Sequence, residues 1–439
     1  MRLLTALLAT SLLATPSLAE PDFAPAVEAD YAAHLEALFI DFHKNPELSY
    51  KETRTAAIMA KELRAVGGIE VTEGVGGTGV VGVMKNGTGP TILVRADMDG
   101  LPLKEDSGLA YASTVTQEDI DGVVKPVMHA CGHDVHITSL IGTARQLAKL
   151  KSRWKGTVVF VIQPAEERIG GARKMMEDGL YTRFPKPDYA VAFHVTSGFP
   201  TGKIGLEPGI SSSSSDSVDI TIHGIGTHGA APHMGKDPIV MGSQIVMALQ
   251  TLVSREIAPL KPGVVTVGSF HSGFKHNIIS DKAELQLTVR SDDEDTRKKL
   301  LDGIKRIAAN VGRMNGLPED KLPVVRVGFR STPVTLNDPA LTTRVRGAFT
   351  KAFGKDILRT EPRESMGAED FAYFIEQKLG VPGAYFVVGG TPQAELDAAK
   401  RGEKTLPAHH SPFFKVEAKP AVTLGTTAMT VAVLDLLGK

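Results

Sequence analysis

Val158-Val159-Phe160-Val161-Ile162-Gln163-Pro164-Ala165-Glu166-Glu167 is an unbroken apolar run that ends in a proline and two adjacent carboxylates. A strand apolar on both faces is covered on both sides, as strands of parallel sheets are. In open α/β sheets, ligands and chemistry gather outside the carboxyl ends of the strands. The same grammar occurs twice more. Thr91-Ile92-Leu93-Val94 runs into Arg95-Ala96-Asp97-Met98-Asp99, and Tyr189-Ala190-Val191-Ala192-Phe193 runs into His194. Three buried strands that each end in carboxylates or a histidine predict an α/β fold. Its sheet would be mixed but largely parallel, with its reactive groups along one edge.

Outward from these strands, residues 27–44 and 52–66 carry helical spacing of apolar positions, the second stopped by Gly67-Gly68. Residues 79–84 read as a further strand before the turn-like Asn86-Gly87-Thr88-Gly89-Pro90, and 137–150 as a helix. After about Gly209 the pattern changes. Val218, Ile220 and Ile222 alternate with polar residues, as do Leu285, Leu287 and Val289, which indicates antiparallel strands with one wet face. Amphipathic helices are expected over 238–255 and 295–311. The order strand–helix–strand–strand–helix–strand predicts an inserted two-layer α+β module of ferredoxin-like type. From Pro333 onward, helices and the Ala384-Tyr385-Phe386-Val387-Val388 strand return to the first pattern. The expected division is a leader over 1–19, a catalytic domain over 20–210, the insertion over 211–328, and the catalytic domain again over 329–439. Ser211 to Ser215 would form a flexible joint at the crossing.

The chain has 439 residues, a hydrophobic fraction of 42% and a formal net charge of −1. That balance makes no electrostatic case for nucleic acid or an anionic membrane. Met1-Arg2, the apolar run from Leu3 to Leu13 and Ser17-Leu18-Ala19 read as a signal peptide cleaved after Ala19, which implies a periplasmic or secreted protein. The run is too short to span a bilayer, and no later segment reads as long enough.

An exported protein with a single cysteine closes no internal disulfide. Cys131 lies in His129-Ala130-Cys131-Gly132-His133-Asp134, among metal-ligand types. In an extended segment, Cys131 and His133 would share one side and could grip one ion. A buried inert thiol beside a hydrogen-bonded histidine is the alternative. Glu166-Glu167 favours the metal, because paired carboxylates at the end of a buried strand each need a cation or a proton. A metal and a water satisfy both: one carboxylate ligates and the other takes the water's proton. His194 by itself reads as a satisfied core histidine rather than a ligand, the pair His409-His410 is open between the same two readings, and the remaining histidines read as structural.

Taken in order, a series of motifs resembles the metal-dependent aminoacylase and carboxypeptidase superfamily. They are His43-Lys44-Asn45-Pro46-Glu47-Leu48-Ser49, Arg95-Ala96-Asp97-Met98-Asp99-Gly100-Leu101-Pro102, Met128 through Asp134, Gln163-Pro164-Ala165-Glu166-Glu167 and Phe193-His194-Val195. Gly226-Thr227-His228-Gly229-Ala230-Ala231-Pro232-His233, Met366-Gly367-Ala368-Glu369-Asp370-Phe371 and His410-Ser411-Pro412 complete the series. The branch it looks most like is the N-acyl-amino-acid amidohydrolases, with hippurate hydrolase and the plant auxin-conjugate hydrolases.

The resemblance implies two divalent metal ions bridged by Cys131, with Glu167 and His410 on one and His133 and His194 on the other. It makes Glu166 the general base and Asp97 the carboxylate that orients a metal-bound histidine. Arg95 replaces a ligand histidine of the aminopeptidase-like branches. The insertion resembles a lid and dimerisation domain, whose His228 would reach a partner's active site in a homodimer and steady the oxyanion. Asn277 and Arg290 match positions that bind the substrate's α-carboxylate. Ser280 departs from the family's proline, and the serine run replaces more apolar residues. The expected substrate is a small N-acyl amino acid or short peptide. Zinc is the first expectation, with manganese, cobalt or nickel as substitutes. The competing readings are a metallo-carboxypeptidase or dipeptidase, and a catalytically silent periplasmic binding protein.

Overall fold

The computed structural model describes residues 21–360 and 362–438, and the leader expected over 1–19 lies outside them. A seven-stranded sheet has the order Ile69–Val75, Gly79–Asn86, Gly156–Gln163, Thr91–Asp97, Tyr189–Pro200, Gly383–Thr391 and Ile204–Gly205. Its four central strands, from Gly156–Gln163 to Gly383–Thr391, are parallel. The strands outside them pair antiparallel. The sheet is therefore mixed, and parallel where it is buried on both faces. The three strands that carry the shared grammar are direct neighbours. Their register sets Asp97 opposite Gln163 and Arg95 opposite both Val161 and Ala192, so the reactive ends emerge side by side.

One face of the sheet is covered by the helices Thr53–Val66, His133–Lys149, Pro339–Phe353 and Ala418–Leu437. The helical run 24–44, which holds a π turn at Tyr31–Leu35, joins them. On the other face, Tyr385 and its sheet neighbours pack on Met175, Phe371 and Phe374. Ala418–Leu437 corrects the reading that no later segment could span a membrane. Its 20 residues are long and apolar enough by length and composition, but 78% of its apolar window is buried inside the protein. It crosses His133–Lys149 closely, because a Cβ on Gly142 would meet Thr426 Oγ1 at 2.6 Å.

The strands Gly263–Ser272, Lys282–Ser291, Ser214–His223 and Val324–Thr332 form a second, wholly antiparallel sheet in that order. The helices Pro238–Thr251 and Glu294–Met314 pack on one face, around a core that includes Ile220, Ile245, Leu285, Leu300 and Ile304. Both helices begin on an aspartate cap. The Asp237 carboxylate accepts from Ile239 N–H at 2.8 Å, and that of Asp293 from Thr296 N–H at 2.9 Å.

The serine run, expected as a flexible joint, lies where the chain enters this second sheet, and most of it is packed there. Ser213, Ser214 and Ser215 are buried. The Ser213 hydroxyl donates to Asp292 at 2.6 Å, and Ser214 and Ser291 hydroxyls pair at 2.7 Å. Serine stands there because those buried positions need hydrogen-bonding partners.

Candidate metal centre

The carboxyl ends of Thr91–Asp97 and Gly156–Gln163 deliver Asp97, Glu166 and Glu167 to one place, and His194 joins them from the middle of Tyr189–Pro200, a strand that runs on past the end expected at Phe193. The Cys131-Gly132-His133 turn joins them. It is not extended, contrary to expectation. Gly132 takes φ +84° as the cap of the helix that opens on His133, and a Cβ there would meet Val195 Cγ1 at 2.4 Å. Turn and helix, rather than strand alternation, aim the thiol and the imidazole together. The last contributor, His410, sits at φ +62°, a conformation sparsely populated by residues other than glycine.

Five overlapping triads of donor atoms result among the described residues, and two of them contain the thiol, Cys131 with His133 and His194, and Cys131 with Glu167 and His410. Within each, the donor atoms lie within 4.8 Å of one another. Cys131 belongs to both.

The hydrogen bonds assign the histidine tautomers. A carbonyl can only accept, so His133 Nδ1–H donates to Asp99 O at 2.8 Å and His194 Nδ1–H to Val195 O at 2.6 Å. Each therefore turns its Nε2 to the cluster; burial opposes a charge on His133, but Asp97, Asp99 and Glu167 prevail and push it up to about 10. His133 Nε2 lies 3.4 Å from Asp97 Oδ2, which is paired with Arg95, and 3.8 Å from Glu167 Oε1; His133 Nε2 and Glu167 Oε1 are buried without a hydrogen-bond partner. His136 has no lone pair to offer. Its Nε2 accepts from Val195 N–H at 2.9 Å and its Nδ1–H donates to Asp97 Oδ1 at 2.6 Å.

The expected task of Asp97 is accordingly corrected. The ring N–H it holds is that of His136, while the His133 ring N–H is held by the Asp99 carbonyl. Asp99 was missed as a functional residue, although a second carboxylate inside the quoted motif was a signal. Its side chain accepts from the backbone N–H groups of Glu166 and Glu167, each at 3.1 Å, and from Ser49 Oγ at 2.6 Å.

Arg95 is fully buried and compensates the acids behind the cluster. It contacts Asp97 Oδ2 at 2.9 Å and Glu369 Oε1 at 2.7 Å, and donates to Gln163 at 2.8 Å. Burial opposes the charge on Asp97, yet Arg95, His133 and His136 together hold its carboxyl well below the usual range.

The groups facing the cluster shift the other way. Burial, then Glu167 and Glu166, push the Cys131 thiol far up. Burial, then Glu369 and Glu167, raise Glu166 well above an ordinary carboxyl. Glu167 is pushed up to about 8 by burial, against the pull of His133 and with that of Asp99 and Asp97. Donors crowded until they hold protons fit divalent cations, which reverse each of these shifts.

A cleft of about 840 Å3 opens onto the cluster, lined by Cys131, Glu166, Glu167, His194 and His410, with Arg290 on its wall. Arg290 donates to Thr288 Oγ1 at 3.1 Å, and among the described residues it has no carboxylate within ion-pair distance. His228 and Asn277 are not among the residues lining this cleft. They sit together on the short ribbon of Thr227–His228 and Ile278–Ile279, where Gly229 N–H donates to Asn277 O at 2.8 Å and His228 is exposed. The fold thus brings Arg290 to the metal-ligand cluster within one chain and leaves His228 and Asn277 apart.

A parallel-sheet edge that gathers a thiol, imidazoles and paired carboxylates is the metal centre of a hydrolase of linear amide bonds, the class that the family match gives. Residues 93–417 match peptidase family M20/M25/M40, and the chain belongs to that family. It is 39% identical over 353 residues to thermostable carboxypeptidase 2 of Saccharolobus solfataricus, covering 79% of this chain and 83% of that one. It is 38% identical over 350 residues to hippurate hydrolase of Campylobacter jejuni, covering 80% and 87%. A solved dinuclear metal binding peptidase of the M20 family from Bacillus subtilis superimposes with a TM-score of 0.73 at 28% identity, over 94% of this chain and 99% of that one.

Proposed function

We propose that this enzyme hydrolyses N-acyl amino acids to a carboxylic acid and a free amino acid. The observation that carries the reading is the placement of Glu166 beside two donor triads that share Cys131, in one cleft with Arg290. Cys131, His133 and His194 would hold one ion, and Cys131, Glu167 and His410 the other. Bound ions polarise a carbonyl and acidify a water, and the mixed thiolate, imidazole and carboxylate set suits zinc first.

Glu166 takes the proton of the attacking water and returns it to the leaving nitrogen. Asp99 keeps its backbone in place for both transfers. Arg290 pairs with the free carboxylate of the amino-acid half, a charge-assisted contact that its planar fork suits. Hydrogen bonding from His228 of a second copy of the chain, in a homodimer built through the four-stranded unit, would steady the oxyanion. Cleavage of a leader after Ala19 would deliver the enzyme to the periplasm or beyond.

A carboxypeptidase or dipeptidase reading competes, supported by the likeness to the thermostable carboxypeptidase. Amino-acid release from a panel of N-acyl amino acids and dipeptides, metal-loaded and chelated in parallel, separates the two. Chelator-sensitive release from the N-acyl members supports the proposal, and release from dipeptides alone rejects it.

A further inference from the structure

His409 approaches the same thiol as His194 but meets it with the opposite face of its chemistry. His194 Nε2 lies 3.4 Å from Cys131 Sγ with a lone pair, because its N–H is spent on a carbonyl. His409 Nδ1 lies 3.7 Å from the same sulfur. Its Nε2 accepts from the backbone N–H of Ser197 at 3.3 Å and lies 3.2 Å from Thr196 Oγ1. A backbone amide only donates, so Nε2 carries no proton and the ring proton sits on Nδ1, facing sulfur. The ring is packed between Phe414, at a centroid distance of 4.8 Å, and His194, at 5.3 Å, and the half-buried site holds this orientation.

We infer that His409 is a positioning residue and not a ligand, and that its Nδ1–H donates an N–H···S hydrogen bond to the bridging thiolate of Cys131. The inference rests on the two-ion reading of the site. Such a bond favours the thiolate over the thiol, withdraws electron density from sulfur and steers its lone pairs towards the ions. Adjacent histidines in one loop then divide the work. His410 turns its Nε2 towards Glu167, 3.4 Å away, and His409 holds the sulfur that both triads share.

The test uses the full chain stripped of metal and reloaded with cobalt(II), read by its thiolate-to-cobalt absorption, by cobalt affinity in chelator competition and by cobalt stoichiometry. His409→Leu removes the donor. Its band is expected at longer wavelength and its affinity lower by on the order of 10-fold, with wild-type stoichiometry. His409→Asn, whose side-chain N–H can stand near the Nδ1 position, is expected to keep both the band and the affinity. Wild-type values in the Leu variant overturn the inference, as does an Asn variant that behaves like Leu. Loss of one cobalt per chain from the Leu variant, matching His410→Ala, would make His409 a ligand and overturn it too. Absence of any thiolate band in the wild type would instead remove the Cys131 bridge, and the metal reading with it.

Discussion

The backbone N–H of Glu166 donates to Asp99 Oδ1 at 3.1 Å, which ties the proposed general base to the segment just beyond the strand that ends at Asp97. The other oxygen of Asp99 holds Glu167 N–H and the Ser49 hydroxyl, and its carbonyl holds His133. One residue therefore fixes a proposed base and ligands of both proposed ions. Asp99→Ala leaves two buried amides without acceptors, at about 1–3 kcal/mol each. It should lower metal affinity and kcat together, on the order of 10- to 100-fold in affinity. Chelator competition checks the first and steady-state kinetics the second.

Glu166→Gln keeps the size of the side chain and removes its basicity. It should retain the metal content of the wild type and lose on the order of 10² or more in kcat. Elemental analysis beside kinetics checks this, and full activity in the variant would reject Glu166 as the base.

Arg290 reaches the cleft with no carboxylate of its own within ion-pair distance among the described residues. Arg290→Ala should raise KM for substrates with a free α-carboxylate and leave kcat largely unchanged. Methyl esters of the same substrates are the control, and an equal rise for them would rule out carboxylate recognition.

His43 bridges two buried acids, with Nδ1 2.7 Å from Asp134 and Nε2 3.0 Å from Glu105. Burial opposes its charge, but the two carboxylates prevail and push it up to about 9. A raised value means that the stabilisation is complete below the unfolded-state value of about 6.5 and is lost as pH rises through about 9. Asp134 and Glu105 are lowered despite burial, chiefly by hydrogen bonds from His43, so their part is lost as the solution turns acid. His43→Leu should cost about 3–5 kcal/mol near pH 6.5, since it leaves acids buried without their cation. The gap to wild type should narrow above pH 9, as read by denaturant unfolding across the range.

The strand ends, the helices and the strand–helix–strand–strand–helix–strand order were legible in the amino-acid sequence, because apolar periodicity is a local property that each element carries by itself. The residue types that gather at the site were legible too, since Glu166-Glu167 and Cys131-Gly132-His133 are each local and paired carboxylates need a cation or a proton. What only the tertiary structure decided was who partners whom. Asp97 and Asp99 look interchangeable in one motif, and register with the neighbouring strand and helix gave the first to His136 and the second to His133. His409 and His410 are adjacent, and a turn at positive φ sends one to the sulfur and the other to Glu167. Arg95 finds Glu369 far along the chain, and His228 and Asn277 lie on a ribbon away from the cleft. Proton direction and pairing depend on contacts closed across hundreds of residues, and no periodicity along the chain encodes them.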